Sequence, residues 1–98
     1  MQLRVVMFPG QGSQTQGMGK ELFGEFPAVV EAASSILGYN VARMCLENPD
    51  NQLNQTNVTQ PALYFVNYLQ YQHYLKDHEP PDYFLGHSLG EFNALNAA

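Results

Sequence analysis

Gly86-His87-Ser88-Leu89-Gly90 decides how this chain is read. It fits Gly-x-Ser-x-Gly, the nucleophile elbow, in which a serine sits on a tight turn between a strand and a helix. Glycines belong there because the flanking backbone packs too closely to leave room for a Cβ. The turn exposes the Ser88 hydroxyl and aims the following backbone N–H at the carbonyl under attack. The neighbours supply the context this motif requires. Tyr83-Phe84-Leu85 reads as a short apolar strand, and Leu89 to Ala98 reads as the start of a helix.

Working upstream, Leu3 to Phe8 is an apolar run broken only by Arg4, which suits a buried parallel strand. Pro9-Gly10-Gln11-Gly12-Ser13-Gln14 follows as a glycine-rich loop. Short helices are expected over Met18 to Phe23 and over Phe26 to Leu37, the second with Pro27 in its first turn and Gly38 just past its end. Val41 to Leu46 gives one further helical turn, and Glu47 to Asn57 is polar, with Asn48-Pro49-Asp50-Asn51 as a turn signal. The longest helix opens at Thr59-Gln60-Pro61, with Thr59 or Gln60 as N-cap and Pro61 in the first turn, and runs to about Lys76. Its apolar residues cover most of its circumference, which implies burial between a sheet and another layer. The order β, several helices, β, helix is an α/β pattern with a parallel sheet and a right-handed crossover. Two parallel strands do not make a self-sufficient sheet, so residues 1–98 read as the N-terminal part of a larger domain.

Composition excludes several classes. With 98 residues the chain is one domain at most. Its net charge of −5 and four scattered basic residues argue against nucleic acid as a partner. No apolar run approaches the length needed to span a membrane, and the N-terminus is too short before Pro9-Gly10 to be a signal peptide. A single cysteine, Cys45, permits no internal disulfide and fits a cytoplasmic protein. The three histidines lack metal-ligand spacing, so no metal is expected. The Gly10–Gln14 loop lacks the lysine and the glycine register of a nucleotide-binding loop.

Phe8-Pro9-Gly10-Gln11-Gly12-Ser13-Gln14 after the first strand, Thr59-Gln60-Pro61-Ala62-Leu63 in the middle and Gly86-His87-Ser88-Leu89-Gly90-Glu91 at the second strand stand together in this chain. In combination they resemble the malonyl-CoA:acyl-carrier-protein transacylases and the related acyltransferase domains of fatty-acid and polyketide synthases. The resemblance covers essentially the whole chain, equivalent to about the first third of such an enzyme, with the downstream strands and small ferredoxin-like subdomain absent. It implies that Ser88 is acylated by malonyl-CoA and passes the acyl group to the phosphopantetheine thiol of an acyl carrier protein. It implies an oxyanion hole made by the backbone N–H groups of Gln11 and Leu89, with His87 and Gly10 lining the substrate pocket. No cofactor is implied; coenzyme A enters as the thioester substrate, and phosphopantetheine belongs to the partner protein. Leu89, a branched aliphatic residue after the serine, goes with malonyl in this family. A first strand starting at Leu3 resembles a discrete enzyme acting in trans. The family's general-base histidine and its carboxylate-gripping arginine lie downstream of residue 98. Phe92 fits the aromatic that the family places after the glutamate, whereas Asn93 and Asn96 depart from its pattern.

Within the chain, His87 is a poor base for Ser88, because adjacent side chains at a tight turn diverge. His73, His78 and Asp77 precede the elbow strand, toward the opposite end of the sheet, so a triad built from them fails on position. Glu91 sits where a first-turn acid is favoured in any case. Two other readings stay open: an acyl hydrolase of the same fold that clears carrier proteins, and an inactive fragment or half of a split enzyme completed by another chain.

Overall fold

The computed structural model describes residues 4–86 and 89–98. In chain order the elements are β1 (Val5–Phe8), α1 (Lys20–Glu25), α2 (Pro27–Leu37), α3 (Val41–Glu47), a 3-10 segment (Pro49–Asn54), α4 (Thr56–Asp77), β2 (Tyr83–Gly86) and α5 (Gly90–Ala97). The strands pair in parallel, Val5 opposite Tyr83 through Phe8 opposite Gly86, so α1 to α4 all lie in one crossover connection. The α/β class and parallel pairing are as the sequence led one to expect.

Helix α4 is the centre of the packing. On one side Tyr71 meets Phe8 and Phe84 edge-on, with ring centroids 5.9 and 5.5 Å away, which seats the sheet on the helix. On the other side Phe65, Val66 and Leu69 join Phe23, Val41, Met44, Cys45 and Leu53 in the main apolar cluster. The helix is therefore buried between a sheet and a layer of helices, which explains its broad apolar surface. The opposite face of the sheet carries Val5, Met7, Tyr83 and Leu85, all about half exposed or more. Parallel sheets are ordinarily covered on both faces, and this second face is apolar and bare.

Two helix boundaries differ from expectation: α1 spans Lys20–Glu25 rather than Met18 to Phe23, and α4 starts earlier. Helix α4 begins at Thr56 after Gln55, and Pro61 lies inside it rather than in its first turn. Thr59 is fully buried and does not cap. Its hydroxyl donates to the Leu53 carbonyl and, at 2.9 Å, to the Gln55 carbonyl, stitching the 3-10 segment to the helix. Pro61 leaves the Asn57 carbonyl without its helical donor, and Asn57 is exposed, so water can meet that loss. The polar stretch expected as a turn is the 3-10 segment. Asn48, Asp50 and Asn51 take positive φ there, a conformation these side chains tolerate. Asn48 Oδ1 accepts from the Leu53 N–H at 2.8 Å. Among the described residues no helix is long and apolar enough to cross a membrane.

Two titratable groups report on this packing. Cys45 is fully buried, and desolvation pushes its thiol up to about 12. In the intact native protein the Cys45 peptide should therefore resist iodoacetamide at pH 8 and become labelled in urea. Mass spectrometry of that peptide checks this, and native labelling at the denatured rate would contradict the packing. Glu25 ties α1 to α4, accepting from Lys76 Nζ at 2.6 Å and facing His73 Nδ1 at 2.8 Å. The Lys76 hydrogen bond, ahead of His73, holds its carboxyl below the ordinary value of 4.5. Stabilisation from a lowered carboxyl is present above that value and lost as pH falls through the folded pKa. Glu25→Gln should lower the melting temperature at pH 7, and the deficit should vanish in melts taken at progressively more acid pH.

Candidate active site

The register that sets Phe8 opposite Gly86 brings the carboxyl ends of β1 and β2 side by side. Sites in open α/β sheets sit at this edge. From there β1 runs into the Pro9–Gln14 loop, and β2 runs through the elbow into α5. His87 and Ser88, the two elbow residues expected to line the pocket and to act as nucleophile, lie outside the described residues.

The flanking glycines show why the motif needs them. A Cβ on Gly86 would overlap the Gly90 carbonyl and the Glu91 nitrogen. A Cβ on Gly90 would overlap the Phe8 carbonyl and come within 2.9 Å of the Pro9 oxygen. Neither glycine is among those with positive φ, so what each provides is the absence of a side chain. The start of α5 thus rests directly on the backbone at the end of β1. Leu89, with φ −53° and ψ −35°, immediately precedes α5, where the first N–H groups of a helix have no intrahelical acceptor.

The β1 loop is held from several directions. Ser13 donates from both its N–H and its hydroxyl to the Gly10 carbonyl, at 3.2 and 2.7 Å, and Gly10 itself is buried. Gln14 Oε1 accepts from the Gly12 N–H at 2.7 Å, and its Nε2 donates to Asn54 Oδ1 at 3.3 Å. Gln11 is exposed at the loop tip. Its Nε2 donates to Thr56 Oγ1 at 3.1 Å, and its Oε1 accepts from Gln60 Nε2 at 3.4 Å. Among the described residues, the Gln11 backbone N–H has no backbone hydrogen-bond acceptor. Of the two expected oxyanion-hole donors, Gln11 stands on this anchored loop, whereas the Leu89 N–H belongs to the peptide with Ser88, which lies outside the described residues.

Thr56, Gln60 and Asn67 were not singled out by the sequence as site residues. Gln60 entered as a possible helix cap and as part of the Thr59–Leu63 stretch shared with the family, and its side chain faces the loop. Asn93, which breaks the family pattern, is 3% exposed and fully engaged: its Nδ2 donates to the Tyr64 carbonyl at 3.0 Å, and its Oδ1 accepts from Asn67 Nδ2 at 3.1 Å. Asn96 is exposed. A groove of about 650 Å³ opens beside Leu89, walled by Gln60, Pro61, Tyr64, Phe65 and Phe92 on one side and by Ala33, Ile36 and Leu37 of α2 on the other.

Of the remaining candidates, the two histidines precede β2 and Glu91 directly follows the elbow motif. His73 and His78 lie at the carboxyl end of α4; one faces Glu25, and the other stacks on Tyr74 at 4.5 Å. Both precede β2, whereas the elbow follows it. Glu91 is exposed in the first turn of α5.

A parallel strand pair, with the helix after β2 seated on the backbone at the end of β1 and the Gly-x-Ser-x-Gly sequence between that strand and helix, defines an α/β fold of the nucleophile-elbow type. Residues 5–98 match the acyl transferase domain, and the chain belongs to that family. It is 58% identical over 93 residues, 94% of its length, to the polyketide biosynthesis malonyl CoA-acyl carrier protein transacylase PksC of Bacillus subtilis (strain 168). The crystal structure of malonyl CoA-acyl carrier protein transacylase from Burkholderia pseudomallei superposes on all of the chain, with TM-score 0.96 and 49% identity. A type II PKS acyl-carrier protein in complex with its malonyl-transacylase gives TM-score 0.80 and 38% identity over 99% of the chain. The chain spans about a third of the length of each of these: 32%, 34% and 33%.

The glycine contacts make a direct prediction. In the intact protein Gly90→Ala should destabilise by about 1–3 kcal/mol, the usual cost of overpacking. A substitution at Gly24, where a Cβ meets nothing within 4 Å, should not cost that overlap. Thermal melts of the two variants compare them, and equal melting temperatures would contradict the close approach.

Proposed function

We propose that this chain is the N-terminal, nucleophile-bearing part of a malonyl-CoA:acyl-carrier-protein transacylase. The observation that carries the reading is the contact of Gly90 with the Phe8–Pro9 backbone. It brings the loop of Gln11 and the helix start at Leu89 to one edge of the sheet, as a two-amide oxyanion hole requires. In this reading the Ser88 oxygen attacks the thioester carbonyl of malonyl-CoA. The new C–O bond forms, the C–S bond breaks, and coenzyme A leaves as the thiol with the serine's proton. The phosphopantetheine thiol of an acyl carrier protein then attacks the acyl-serine, regenerating the hydroxyl. The Gln11 and Leu89 N–H groups stabilise both tetrahedral intermediates, each contributing about 3–4 kcal/mol. A histidine from the rest of the domain serves as base, since His73 and His78 lie away from the elbow. The same remainder of the domain covers the bare face of Val5, Met7, Tyr83 and Leu85. Names of relatives support this reading, including a malonyl-transacylase in complex with its acyl-carrier protein. The expected setting is polyketide or fatty-acid biosynthesis in the cytoplasm.

In the intact enzyme, malonyl-CoA should add a malonyl mass to the Ser88 peptide, and Ser88→Ala should abolish the adduct. Adding holo acyl carrier protein should move the label to the carrier. Release of free malonate instead would replace transfer with hydrolysis, and labelling that survives Ser88→Ala would remove the serine from the reaction.

A further inference from the structure

The least expected polar group in the core sits where the two halves of this site meet. Asn67 on α4 and Asn93 on α5 are 1% and 3% exposed. Asn67 Nδ2 donates to the Pro9 carbonyl at 3.0 Å and to Asn93 Oδ1 at 3.1 Å. Asn93 Nδ2 returns to the Tyr64 carbonyl of α4 at 3.0 Å. The Pro9 oxygen so held is the one that a Cβ on Gly90 would approach. One carbonyl, two residues before Gln11, is therefore gripped by an amide from α4 and pressed by the first residue of α5. An apolar pair could fill the volume, but it could not fix the direction of that carbonyl. Buried amides held by directional bonds, here through Asn67 Nδ2 and both ends of Asn93, favour the arrangement that keeps those bonds, because any other leaves polar atoms unpaired out of water.

We infer that Asn67 and Asn93 are positioning residues that set the spacing between the Gln11 and Leu89 amides, a role that rests on the acyl-transfer reading above. Neither side chain needs to touch substrate. Asn67 orients the peptide that leads into Gln11, and Asn93 locks Asn67 to the helix that follows Leu89. Because the oxyanion must meet both amides at once, a small shift of one loop weakens the transition state more than it weakens binding.

The test uses the intact enzyme with malonyl-CoA and holo acyl carrier protein. Asn67→Ala and Asn93→Ala should each lower kcat about tenfold or more, with KM for malonyl-CoA changed less than about twofold. Hydrogen exchange should rise in the peptide spanning residues 9–14. Asn93→Ser, which leaves the Asn67–Pro9 contact in place, should fold readily and show a smaller loss. Val41→Ala is the control. It opens a cavity in the main cluster away from this edge and should lower the melting temperature without the kcat loss. The inference is overturned if the Asn variants keep full kcat, if Val41→Ala costs as much kcat at equal melting temperature, or if KM alone rises. Should the wild-type enzyme form no acyl-serine, the acyl-transfer reading fails by itself. Exchange over residues 9–14 then decides the clamp: a rise in the Asn variants upholds it, and no rise overturns it.

Discussion

The contact between Gly90 and the backbone of Phe8 and Pro9 is the constraint on which the rest depends. It exists because neither Gly86 nor Gly90 carries a side chain at the point where β2 turns into α5. Without that approach the helix would stand off the sheet, and the β1 loop would lose the wall against which it rests. The contact joins segments some eighty residues apart in sequence, and the site's geometry follows from it.

Around this contact the molecule is layered on α4. The helix presents Tyr71 to Phe8 and Phe84 on the sheet side, and it presents Phe65, Val66 and Leu69 to the helical cluster on the other. It also supplies the polar groups that reach the functional edge: Thr56 and Gln60 to the Gln11 side chain, and Asn67 to the Pro9 carbonyl. A single rigid element thus supports the sheet and holds the loop that carries a candidate oxyanion donor. Sites held by regular elements keep their geometry better than sites held by loops alone.

Much of this was legible in the sequence. The elbow motif, the apolar strands on either side of a helical crossover, Pro27 opening α2 and Gly38 closing it depend on local sterics, which the chain states directly. The start of α4 was misplaced because Pro61 is a strong local signal and Thr59 a good cap by type. Burial of Thr59 against Leu53 overrode both. Asn93 read as a departure from pattern because its partner, Asn67, is 26 residues away, and nothing in either local stretch announces the pair.

By itself the sequence determined the fold class, the family and the residue types at the elbow, since these follow from backbone sterics and hydrophobic order along the chain. Only the tertiary structure decided which polar groups meet. The grip of Asn67 on the Pro9 carbonyl, the reach of Gln60 and Thr56 to Gln11, and the seating of Gly90 on Phe8 all join distant segments. Hydrogen bonds have short range and strict direction, so such partners exist only once packing has fixed where each backbone lies.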